Sequence, residues 1–273
     1  MFNTAKSLLD MEVKRLQILI DLIKSDFRKK YLGSYLGVVW AFLNPLITIL
    51  IFLLIFQVGF KSPPVDQVPF AIWLTVGIAP WFYFSDALIN ATHSIYEYGF
   101  LVKKVVFQII LLPVIRVLTA LIIHFFLIIV VLIMLTYSNN HTTNFSWPFL
   151  YWLQILYYIF AETVLLIALA WPLAAANVFI KDTGNFINMI MQFLFWSTPI
   201  LWKIEILPER YQTILKLNPI YYIINGQRES LLYGKWFWQD PLHTIFFWSF
   251  TLIILFVGLF IFKKARPYFA DVL

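Results

Sequence analysis

Apolar residues run without a charge from Tyr31 to Phe60, directly after a segment, Lys24–Lys30, that carries five charges in seven residues. Further charge-free runs cover Gln67–Ser85, Val117–Ala161 (split by the polar SNNHTTN), Thr183–Trp202 and Pro241–Phe262. A helix crossing a bilayer needs ~20 apolar residues. The runs are continuous, whereas barrel strands alternate over ~10 residues. The pattern therefore predicts an all-α, polytopic membrane protein with six transmembrane helices. They are placed at 36–60, 70–91, 109–136, 150–178, 184–202 and 242–262.

Two segments follow a different rhythm. Over 5–30, Leu9, Val13, Leu16, Ile20, Ile23 and Phe27 recur at spacings of four and three. Asp10, Lys14, Gln17, Asp21, Lys24 and Arg28 follow one residue later. One apolar and one polar stripe predict an amphipathic helix lying in the membrane interface. Gly33 and Gly37 mark the elbow into the first span, where small residues permit close packing. The segment 204–235 carries charges every few residues and cannot span. Pro208, Asn218-Pro219, Gly226 and Gly234 punctuate it. External re-entrant helices between spans five and six are expected there, packed against protein.

Composition supports the membrane reading. Of 273 residues, 62% are hydrophobic and 12% charged, with a mean hydropathy of +0.82. Soluble domains carry roughly 45–50% apolar and 25% charged residues. The net charge of +6 is asymmetric rather than a nucleic-acid footprint. With six spans, fourteen of the twenty Lys and Arg fall on the side of the termini. Cytoplasmic loops are enriched in these residues, so both termini are expected in the cytoplasm. No cleavable signal peptide is visible at the N-terminus.

Catalytic chemistry has no carrier. The chain has no cysteine, hence no disulfide, thiolate metal site or thiol nucleophile. Its one Gly-Lys pair, Gly234-Lys235, is followed by Trp236, so no phosphate-binding loop is present. The four histidines are scattered, and no metal site is expected. Ionisable and polar groups inside spans are costly and are the functional candidates. They are Asp86, Arg116, Glu162 and Gln192, with His124 and Asn188 beside them. Asp86 and Arg116 lie near the same interface, where they are expected to pair or to snorkel. The aromatic groups Trp81, Phe82, Tyr83 and Phe84, and Phe193 with Trp196, fall inside or near spans. Such rings suit a path that guides sugars by their apolar C–H faces, although packing is the default role of any one ring.

The pattern D-F-R-K-K-Y-x-x-S-Y-L-G-V-V-W-A-F-L-N-P-L, Asp26–Leu46, resembles the first-span signature of type-2 ABC exporter permeases. More narrowly, it is similar to the branch exporting lipid-linked cell-surface polysaccharides: O-antigen, capsule and wall teichoic acid. Gly77–Phe84, Asn177–Thr183, Phe195–Trp202, Leu217–Gly234 and the tail R-P-Y-F-A-D-V-L extend the match over nearly the whole chain. The resemblance implies a homodimeric pore in the bacterial cytoplasmic (inner) membrane, bound to two copies of a separate P-loop ATPase. ATP and Mg would then sit on that partner and no cofactor on this chain. It also implies a coupling loop at 93–104, with Tyr96, Glu97, Tyr98 and Phe100 facing the ATPase and Arg28 beside them. Spans one and five are expected to line the path, adding Trp40 to the aromatic candidates. The glycan stays open. Competing readings are an ABC permease for a drug or small lipid, and an ion-coupled secondary carrier working through Asp86 or Glu162. No inverted repeat is visible for the carrier. A membrane glycosyltransferase would need Glu205, Glu209, Glu229 or Asp240, which no motif organises.

Overall fold

A computed structural model describes residues 2–31, 35–99, 108–141 and 149–273, and among them the chain forms helices and no strands. In chain order these are α1 (Phe2–Tyr31), α2 (Val39–Leu53), α3 (Phe70–Glu97), α4 (Leu111–His141), α5 (Gln154–Phe179), α6 (Thr183–Ser197), α7 (Glu209–Lys216), α8 (Pro219–Tyr233), α9 (Pro241–Ala265) and α10 (Phe269–Val272). Leu54–Gly59 continues α2 as a π-helical turn.

Among the described residues, five helices are long and apolar enough to cross a bilayer: Val39–Gly59, Phe70–Glu97, Leu111–Ser138, Leu150–Phe179 and Pro241–Val272. The segment expected at 184–202 as a sixth span forms the 15-residue α6. At 1.5 Å per residue it reaches ~22 Å, short of a ~30 Å hydrocarbon core. The helix stops because Thr198 precedes Pro199 and is held extended, with ψ of 135°. The elbow expected at Gly33 falls outside the described residues.

α3 is the hub. It packs on α4, α5, α6 and α8, while α9 packs on α5 and α1 on α4. Of its most apolar stretch 78% is buried, against 11% for the span that begins with α2. Protein rather than lipid surrounds α3, so it tolerates Thr75 and Thr92, whose hydroxyls donate to the carbonyls of Ala71 (2.7 Å) and Leu88 (2.8 Å). α2 leaves Leu50, Ile51, Leu54 and Val58 exposed, a face that hydrocarbon or another chain must cover.

A second, smaller core closes the end of the bundle near α1. Ile95, Leu112, Val178 and Phe262 pack there against Phe269, from the tail. Phe269 is fully buried, its ring centre 5.5 Å from that of Phe262. The tail is thus a plug rather than a free end. Phe269→Ala is expected to cost about 3–5 kcal/mol. Its neighbour Tyr268 is exposed, and Tyr268→Ala is expected to cost ~0.5 kcal/mol or less. Thermal unfolding of the detergent-solubilised chain, with Tyr268→Ala as the control, checks this.

Candidate functional site

Three regions concentrate polar chemistry. The first is the α1 end of the bundle. Asp26 is 2% exposed although it sits on a surface helix. Its position three residues after Ile23 turns it toward the core. Its carboxylate accepts from the Tyr98 hydroxyl at 2.5 Å and lies 3.4 Å from Arg116 Nε. Arg116 also pairs with Glu97. The Arg116 guanidinium and the Lys29 ammonium lie 5.2 and 5.1 Å from the Tyr98 ring centre. Burial, then the hydrogen bond and charge of Asp26, raise the Tyr98 phenol well above its ordinary range, so it remains a donor. Next to this, Lys30 donates to both oxygens of Asp86 at 2.7 and 2.9 Å, and Asn90 holds the same carboxylate at 3.0 Å.

This corrects the expected Asp86–Arg116 pairing. Each takes its partner from α1, Lys30 for Asp86 and Asp26 for Arg116, because α1 docks across the ends of the spans. The expected coupling loop is also altered: Ser94–Glu97 belongs to α3, and Tyr98 terminates it. Tyr96, Glu97 and Arg28 stay substantially exposed, and Lys181 covers the Tyr96 ring at 5.7 Å. Phe100 lies outside the described residues.

The second region is the uncovered side of α6. Asn185, Asn188 and Gln192 are exposed at spacings of three and four, which puts three amides on one face. Phe193 (70% exposed) and Trp196 (59%) continue it. Asn177 prepares the start of this helix by accepting from the Gly184 amide at 3.1 Å. On α2, Trp40 and Asn44 are exposed as well. The cluster Trp81–Phe84 divides. Trp81, Tyr83 and Phe84 are buried within the chain. Tyr83 stacks on His124 with ring centres 4.8 Å apart and shares a 3.0 Å hydrogen bond with Thr163. Phe82 and Tyr83 both line a cavity of about 430 Å³ with Asn44, Thr48, Asp86 and His124. Glu162 is fully buried on α5, and its carboxylate oxygens have no hydrogen-bond partner among the described residues.

The third region is the far end of the bundle, away from α1. Asn218 caps α8: its Oδ1 accepts from the Ile220 amide at 3.1 Å and its Nδ2 donates to Thr198 at 3.0 Å. Pro219 opens the helix, and Gly234 closes it at φ 61°, a left-handed conformation that suits glycine. Between them Arg228 is buried. Its guanidinium donates to the carbonyls of Trp73 (3.3 Å), Pro199 (2.7 Å) and Ile200 (2.5 Å), and lies 3.6 Å from the Trp73 ring centre. One side chain thus ties α8 to α3 and to the segment that follows α6. Burial lowers its pKa to about 9, which leaves it charged at neutral pH. A Cβ at Gly77 would collide with the guanidinium, so only glycine admits it on α3. The sequence pattern singles out neither Asp26 nor Arg228 as a site residue. Asp26 is legible as a charge on the apolar stripe, but nothing local marks Arg228 as buried.

No group of three or more metal-ligating residues occurs among the described residues. The three regions consist of joints between helices and exposed faces. The O-antigen export system permease protein RfbA of Klebsiella pneumoniae is 28% identical over 94% of this chain and 95% of its own length. The protein of that name from Myxococcus xanthus is 25% identical over 93% and 94%. The polysialic acid transport protein KpsM of Escherichia coli is 20% identical over 89% and 91%. The profile described as ABC-2 type transporter matches residues 19–232, which takes in the α1 joint, the α6 face and the Arg228 clamp alike, and the chain belongs to that family of membrane permeases.

Proposed function

We propose that this chain is the permease subunit of an ABC exporter that moves lipid-linked cell-surface polysaccharide across the cytoplasmic membrane. It works as a homodimer with two copies of a separate P-loop ATPase, on which ATP and Mg are held. Full-length similarity to O-antigen and polysialic acid permeases supports the cargo class. The observation that carries the mechanism is the α6 face. Three amides and two large aromatic rings stand exposed on one helix face that carries no charge. Amides facing hydrocarbon are costly, so this face belongs against water or a second copy. With α2, it forms one wall of a path at the dimer interface, where Trp40, Phe193 and Trp196 meet the glycan.

The α1 end is the cytoplasmic side in this reading. Tyr96, Glu97 and Arg28 present the surface the ATPase pushes. The Asp26–Arg116–Tyr98 network passes that push to α1, α3 and α4 together. α7 and α8 are the re-entrant pair at the outer mouth. An ion-coupled carrier working through Asp86 is less well supported, since Lys30 and Asn90 already occupy that carboxylate.

The chain has no cysteine, so single substitutions to cysteine report directly. Phe193→Cys is expected to give a disulfide-linked dimer in membranes under mild oxidant, whereas Leu165→Cys, at a buried position, is expected to stay monomeric. Equal behaviour of both would remove α6 from the dimer interface.

A further inference from the structure

We infer that the far end of each protomer carries a saccharide subsite, a two-lobed cleft that holds neutral sugar units of the glycan as it leaves the path. The inference rests on the export reading above and adds a binding site to it.

The cleft lies between the turn at 203–205, α8 and the segment 234–243. Its lobes measure about 300 and 190 Å³ and share Glu205, Tyr221, Asn225 and Glu229 as a common wall. Ligand clefts typically start at ~300 Å³ and combine aromatic walls with a few placed polar groups. Both features are present. Trp73 and Tyr221 line the larger lobe, and Tyr222 and Phe237 the smaller.

The charges select the ligand class. Lys203 pairs with Asp66 at 2.7 Å and Lys235 with Glu229 at 3.2 Å, both at the edge of the larger lobe. His243 pairs with Asp240 at 2.6 Å beside the smaller one. The Arg228 guanidinium in the floor is committed to carbonyls. The lining sums to four carboxylates (Asp66, Glu205, Glu229, Asp240) against four cations (Lys203, Lys216, Arg228, Lys235), so it offers an ion no net charge of either sign. A neutral polyhydroxyl ring meets something better, because a carboxylate in an ion pair keeps lone pairs for hydroxyl donors. Asn225 and Glu205 form no side-chain hydrogen bond among the described residues, and both face both lobes. With Lys216, they are among the groups left available for a ligand.

The walls are fixed before any ligand arrives. Gln154 holds the 234–239 segment from both sides, donating to the Lys235 carbonyl at 3.0 Å and accepting from the Phe237 amide at 2.8 Å. The Arg228 clamp holds the opposite wall. A pre-organised cleft loses less on binding than a mobile one.

The test uses the full complex in the cells that make its glycan. A photo-crosslinking benzoylphenylalanine replaces Asn225 in one strain and Arg210, exposed on α7 outside the cleft, in another. After illumination, mass spectrometry of the crosslinked peptide looks for a ladder of monosaccharide masses. The ladder is expected at position 225, absent at 210, and lost when glycan synthesis is blocked. Equal or no adduct at the two positions, in cells that export through this chain, overturns the subsite and leaves the export reading standing. Surface glycan that persists after deletion of the chain overturns both. As an independent arm, Glu205→Leu with Asn225→Leu is expected to slow export about tenfold, as loss of two ligand hydrogen bonds would. Unchanged export by that assembled variant also overturns the subsite.

Discussion

Arg228→Met is expected to release the outer helix pair and to lower the unfolding free energy of the assembled permease by about 3–5 kcal/mol, the range for removing one partner of a buried charged contact. Methionine fills much of the stem's volume but leaves the carbonyls of Trp73, Pro199 and Ile200 without their donor. Each such buried group costs about 1–3 kcal/mol. Arg228→Lys is expected to fall between, because an ammonium cannot fork to three carbonyls and stack on Trp73 at once. Gly77→Ala attacks the same clamp from the other side, by placing a methyl where the guanidinium lies. Thermal unfolding ranks the three variants, and hydrogen exchange over 209–233 localises the effect. An Arg228→Met protein within about 1 kcal/mol of the parent, the ordinary scale of a single substitution, would show that the clamp holds nothing.

Asp26→Asn is expected to produce the largest loss at the opposite end. The substitution keeps the shape and one acceptor for Tyr98 but removes the charge beside Arg116, 10% exposed. Breaking a buried pair by removing one partner costs about 3–5 kcal/mol. Because Asp26 is the inward charge of α1, the cost falls on the docking of that helix. Hydrogen exchange should rise over 16–31 and stay unchanged over 219–233. If the network transmits force, export falls about tenfold or more while ATP hydrolysis by the assembled complex continues. Glu97→Ala separates transmission from stability. Its carboxylate is half exposed, so its ion pair is worth about 0–1 kcal/mol. The variant is expected to assemble normally and still uncouple hydrolysis from export. Full export in Asp26→Asn would mean that α1 is a passive anchor.

Much of this architecture is legible in the linear pattern. Charge-free runs mark five of the six expected spans because the bilayer demands continuous apolar length, while the helix in the run at 183–202 ends early at Thr198. Asn218-Pro219 and Gly234 mark the ends of α8 because caps and left-handed closures need those residues. Partnerships are less legible. Asp86 and Arg116 look like a pair when only span positions are compared, yet α1 competes for both and wins on geometry. Trp81 and Phe84 look like a path lining until α3 proves to be the buried hub. Arg228 reads as one more charge of an amphipathic outer segment. Its burial depends on Gly77, some 150 residues earlier, and on carbonyls freed where Pro199 ends α6. The exposed amides of α6 are visible as residues, but not as one uncovered face.

The central claim is that this permease is driven by ATP hydrolysed on another chain. The most direct measurement is a gentle-detergent pull-down of the tagged chain from its own membranes, with mass spectrometry of the proteins and lipids that accompany it. The account predicts a P-loop ATPase at one copy per permease chain, together with lipid-linked glycan. A chain that purifies without any ATPase, and whose transport survives ATP depletion while the ion gradient is held, would contradict it.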